Sequence, residues 1–117
     1  MNQLQKFRDA LATYRRHKWN LVRSLMRAET FAQLRRETGD DEAREFEGAG
    51  VEESGIDAMW FRREAAGGRE AWELRLVAEP PYALFELFEA DEEEEDRADV
   101  RREMEARMRE YVAPGQE

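Results

Sequence analysis

The sequence predicts an α+β domain: a long N-terminal helix, a small antiparallel sheet made of a hairpin and a third strand, and a C-terminal helix. Three observations carry this. Apolar residues recur at three- and four-residue steps through the first 28 positions, two aromatic-rich runs flank Gly67-Gly68, and a second helical stripe runs from Val100 to Tyr111.

Taken in order, Asn2 and Gln5 form a capping pair, and Leu4, Phe7, Leu11, Tyr14, Leu21, Leu25 and Ala28 continue the stripe with Lys18 as its single interruption. These predict a helix over residues 2–28. Thr30 and Gln33 make a second cap-like pair, so the helix is expected to bend near Glu29 and resume until Gly39. Run straight, it would be about 54 Å long, too long for one small domain. It must kink or pair with another chain. Residues 40–55 offer a short helical turn over 41–47 and then a Gly-rich acidic connection.

Gly67-Gly68 suits a two-residue turn and predicts a hairpin over residues 57–78. Counting outward from it pairs Arg63 with Trp72, Phe61 with Leu74 and Met59 with Leu76, which collects the apolar side chains on one face. Pro80-Pro81 ends the second strand, and the near-alternation of YALFELFE favours a third strand over 82–89, with a helix as the alternative. Val100, Met104, Met108 and Tyr111 then mark a helix over 96–112, stopped before Pro114-Gly115.

The 117 residues fit one domain, 1–117, read as a basic helical arm (1–38), an acidic linker (39–55), an antiparallel sheet (56–90) and an acidic run with the C-terminal helix (91–113). Its charge is divided: residues 1–38 carry nine Lys/Arg against three Asp/Glu, and the remainder ten against twenty-five. The absence of cysteine excludes disulfides, thiolate nucleophiles and cysteine-held metals. No segment has the length and apolarity of a membrane span or signal core, so the expected compartment is the cytoplasm.

Two charge clusters are the candidate sites. Glu92, Glu93, Glu94, Glu95 and Asp96 are the densest anionic group; they lack the spacing and glycine of a calcium loop, and suit the positive end of the following helix, a basic partner, or mimicry of nucleic-acid phosphate. Arg15, Arg16, Arg23 and Arg27, with Trp19 for stacking, lie on or beside one face of the predicted long helix and suit a nucleic-acid backbone. His17 stands alone, no nucleophile has a recognisable setting, and no catalytic residue, metal or cofactor is expected. The expectation is a small non-catalytic interaction module engaging a protein with a basic surface. Its alternative is a nucleic-acid binder restrained by the acidic run. A homodimer through the N-terminal helix would answer the excess helix length.

Overall fold

The computed structural model describes residues 2–113, and its first helix, α1 (Gln3–Arg16), begins where the sequence places it. The Asn2 side chain accepts the Gln5 backbone N–H at 2.8 Å. It ends twelve residues early. Lys18 takes a left-handed φ of 70°, the N–H groups of Lys18 and Trp19 return to Arg15 and Tyr14, and the chain enters a strand, β1 (Asn20–Met26). The one break in the apolar stripe is therefore the turn itself. The stripe runs on past the turn because four-residue steps suit a strand as well as a helix. A bulge between Leu21 and Arg23 then sends Leu21 and Leu25 to opposite faces of the sheet.

A second helix, α2 (Ala28–Thr38), starts two residues before the expected cap-like pair and stops at Gly39, whose φ is 100°. The expected continuous helix of residues 2–28 is thus a helix, a strand and the start of another helix. Instead of 54 Å of rod, the molecule is 42 Å in its longest dimension. Residues 39–55 also hold more than a connection: after a 3-10 turn at Glu42–Arg44 come β2 (Glu45–Phe46) and β3 (Ala49–Glu53). Glu47 and Gly48 join these strands with φ of 53° and 87°, the positive pair that a tight hairpin requires. β3 lies parallel to β1, so α2 serves as the crossover between them.

The hairpin of β4 (Ala58–Glu64) and β5 (Glu70–Leu76) forms within the expected span, but in a different register. The turn is a five-residue loop closed by the Ala65 N–H on the Arg69 carbonyl, not a two-residue turn at the glycines. Trp60 therefore pairs with Leu74 and Phe61 with Glu73. This one-residue slip puts Met59 and Phe61 on the opposite face from Trp72, Leu74 and Leu76, because the two faces alternate residue by residue. The third strand is confirmed as β6 (Tyr82–Phe88), antiparallel to β5, and the C-terminal helix as α3 (Glu94–Val112). Pro114 and Gly115, expected to end that helix, lie outside the described residues.

The described residues thus form three helices and a six-stranded mixed sheet in the order β2-β3-β1-β4-β5-β6. It is an α+β fold with a larger sheet than the sequence predicted. α1 and α2 cover one face, where Leu4, Phe7, Leu11 and Leu34 meet Met26, Met59 and Phe61. On the other face, Met104 and Met108 of α3 meet Leu25, Trp60 and Leu74. The α1 stripe is buried against its own sheet, which removes the reason to expect self-pairing through it. No helix of the described residues is long and apolar enough to cross a membrane.

The α1–β1 turn yields a test. A left-handed backbone costs an L-residue roughly 1–2 kcal/mol that glycine does not lose. K18G is expected to match or exceed wild-type stability in urea, and K18V to lose about 1–2 kcal/mol through its branched Cβ.

Candidate functional site

The most connected polar group is Asp57, which sequence reading passed over. It precedes β4 and is 95% buried, with only 5% of its surface exposed. Its carboxylate accepts the Arg27 backbone N–H at 2.8 Å, the Thr30 hydroxyl at 2.9 Å and the Gln3 amide at 2.9 Å, with the Arg27 guanidinium 3.7 Å away. Arg27 is the N-cap of α2 and its own side chain makes no cap bond, so Asp57 caps the helix from across the fold. The Gln3 amide also donates to the Val77 carbonyl, and the Val77 N–H to the Asp57 carbonyl. The carboxylate ties α1 and α2 to the start of β4, and the Gln3 amide with the Asp57 backbone carbonyl adds the end of β5. An open cleft of about 430 Å³ lies beside it, lined by Gln3, Thr30, Leu76 and Val112 among others. Both carboxylate oxygens accept hydrogen bonds from within the fold, so the arrangement holds structure.

Of the predicted basic face, the structure brings together only part. Arg15 and Arg16 sit at the end of α1, beside exposed Lys18. Arg15 lies 3.8 Å from Glu47 and donates to its carbonyl at 3.2 Å. Arg23 reaches Glu52 at 3.5 Å and Glu105 at 3.4 Å on the α3 side, while Arg27 sits at the far end of β1 against Asp57 and Glu29. Trp19 is buried, packed edge-on to Phe85 and covered by the Arg63 guanidinium at 4.6 Å. Its ring face is not open to a base. The face existed only on a helix that the chain does not form.

The acidic run has a different fate. Glu92 accepts the Glu89 N–H at 2.7 Å, Glu93 is the N-cap residue of α3, and Glu94, Glu95 and Asp96 occupy the first turn. Glu94 pairs with Arg101. Glu93, Glu95 and Asp96 are exposed and take part in no ion pair among the described residues. The same holds of Glu103 and Glu110 further along α3. Their spacing from Asp96, seven residues each time, was readable in the sequence as one helix flank.

Beneath that helix lies a cationic seam. Arg101 stands 4.4 Å over the Trp72 ring and Arg97 5.8 Å over Phe88. Glu70 on β5 receives Arg62 at 2.8 Å, the Trp72 indole N–H at 3.1 Å and Arg97 at 3.1 Å. The Arg62 hydrogen bond, and then that of Trp72, hold the Glu70 carboxyl down at about 2. On the other face, Tyr14 stacks on Phe61 with ring centres 4.1 Å apart and donates its hydroxyl to Glu73. Burial first, and that bond second, push the phenol above its ordinary range.

These contacts give two measurable outcomes. D57A leaves the Thr30 and Gln3 donors and the α2 terminus without their acceptor, and is expected to cost about 3 kcal/mol in chemical denaturation. For Glu70 the folded carboxyl lies below its ordinary 4.5, so its contribution is present above that pH and is lost as pH falls toward about 2. The melting-temperature gap between wild type and E70Q should accordingly be full at pH 6 and close between about pH 4.5 and 2.

Family models, curated proteins and solved structures were each compared with the chain, and none matches. A functional reading of this fold rests on the chemistry of its own surface.

Proposed function

We propose that the protein is a small non-catalytic interaction module that engages a basic partner through the carboxylates at the start of α3 and along its exposed flank. One observation carries the reading. The arginines of the first 38 residues spend much of their charge on the protein's own carboxylates, while Glu93, Glu95 and Asp96 remain exposed without an internal cation among the described residues. Such a patch attracts a cationic surface over about a Debye length and steers its approach. Supporting the non-catalytic reading, the best-formed polar cluster, at Asp57, uses its acceptors internally. Nucleic-acid binding is the competing reading, with Arg15 and Arg16 at its centre.

The test replaces charge at two places. E93Q/E95Q/D96N is expected to weaken binding of a fluorescent lysine-rich peptide at least tenfold in 50 mM salt, with the wild-type affinity itself falling steeply by 300 mM. E45Q/E53Q/E64Q removes the same charge from other exposed sites and should change affinity less than threefold. Equal loss in both variants would leave only net charge as the cause and overturn the patch. New binding of single-stranded DNA by the first variant would favour the nucleic-acid reading instead.

A further inference from the structure

We propose that β6 takes up an extended basic segment of a partner protein as a seventh strand of the sheet. This rests on the acidic-surface reading above and adds how the partner is held. The sheet ends in two unlike edges. On one side β2 is two residues long, and the β3 strand it adjoins carries Glu52 and Glu53, so that edge is short and charged. On the other side β6 runs seven residues, about 24 Å, with no proline, no lysine and no irregularity in its pairing with β5. Natural sheets ordinarily blunt an edge of this kind, because its outward N–H and C=O groups form a template for another strand. Apart from the β5 ladder, no hydrogen bond among the described residues reaches the backbone of residues 82–88. Phe85 on this strand is 55% exposed, the most exposed large apolar side chain among the described residues.

The charge beside this edge selects the occupant. Glu105 of α3 accepts the Trp60 indole N–H at 2.7 Å and pairs with Arg23, so the flank that bears it points toward β4 and β1. At 100° per residue, Asp96, Glu103 and Glu110 fall on the opposite flank, the side of β6, spaced about 10.5 Å apart. Glu86 projects from β6 toward the same side, and Arg107 is the one cation on that flank among the described residues. An added strand with Lys or Arg on its α3 side would meet this row of carboxylates. Its other side chains would lie next to Phe85 on the α1 side, where apolar residues fit. A second copy of the chain suits the edge poorly: pairing β6 with β6 about a two-fold axis would bring two α3 carboxylate rows together on one face.

The probe is the labelled nonapeptide KVKVKVKVK, which puts Lys on one face of a strand and Val on the other, titrated into the full chain by fluorescence anisotropy in 50 mM salt. Two analogues carry N-methyl groups at alternate amides, one in each phase, keeping the charge while blocking one strand edge or the other. Strand addition predicts that at least one analogue binds tenfold or more weakly than the parent, and that F85K weakens the parent tenfold. If both analogues bind as well as the parent, the partner is held by charge alone: strand addition is wrong and the acidic-surface reading stands. Should none of the three peptides bind, both readings fail. The analogues leave the protein unaltered, so the test survives a poorly folded F85K. Sedimentation equilibrium supplies the remaining outcome, since a dimer that F85K dissolves would assign the edge to a second copy and overturn the proposal.

Discussion

Ala58, Met59, Trp60 and Phe61 are consecutive and essentially fully buried, so β4 must be covered on both sides at once. The rest of the molecule follows from that constraint. A strand buried on both faces requires a helical layer on each, as in α/β sheets generally, and the chain has only three helices among its described residues. Two of them, α1 and α2, share one face; α3 alone takes the other. One helix across β4, β5 and β6 seals the sheet interior and leaves the outer side of β6 without a cover. The free edge is thus a consequence of how the core is closed, and not a separate ornament of the fold.

Electrostatics follows the same layout. The split between a basic first third and an acidic remainder is resolved in part by internal pairs, where Arg8 and Arg15 meet Glu47 and Arg23 bridges Glu52 and Glu105 across two elements. Arg97 and Arg101 fix α3 on the sheet through the rings of Phe88 and Trp72, with Glu70 as the acidic counterpart of Arg97 and Glu94 as that of Arg101. These pairs draw the acids that face the sheet into the structure. Glu93, Glu95, Asp96, Glu103 and Glu110 have no such duty among the described residues, and solvent or a partner must satisfy them. Asp57 belongs to the first class: a buried carboxylate whose geometry serves the α2 terminus and joins α1 and α2 to the start of β4.

What could be read in the sequence was whatever depended on local pattern. The caps at Asn2 and Gly39, the paired strands around residues 65–69, the strand at 82–88 and the final helix all declare themselves through neighbours. The misreadings have a common physical source in residues buried on two faces. β1 lacks alternation because Ser24, Leu25 and Met26 are all buried, and its spacing passes for a helix. Sorting apolar side chains onto one face predicts the wrong β4–β5 register, because β4 is apolar on two. The basic face vanished with the helix that carried it, whereas the acidic run kept its exposed members because it lies at a genuine helix start. Asp57 left no local signal, since its partners are 27 and 54 residues away.

Residue-resolved amide exchange of the full chain by NMR, with and without the Lys-Val peptide, tests the central claim most directly. The account predicts that in the free protein β6 alternates between slow amides facing β5 and fast amides facing outward, and that the peptide slows the fast set at least tenfold while its blocked analogue does not. Uniform protection of β6 before any peptide is added, or an unchanged fast set once the peptide is bound, would contradict it.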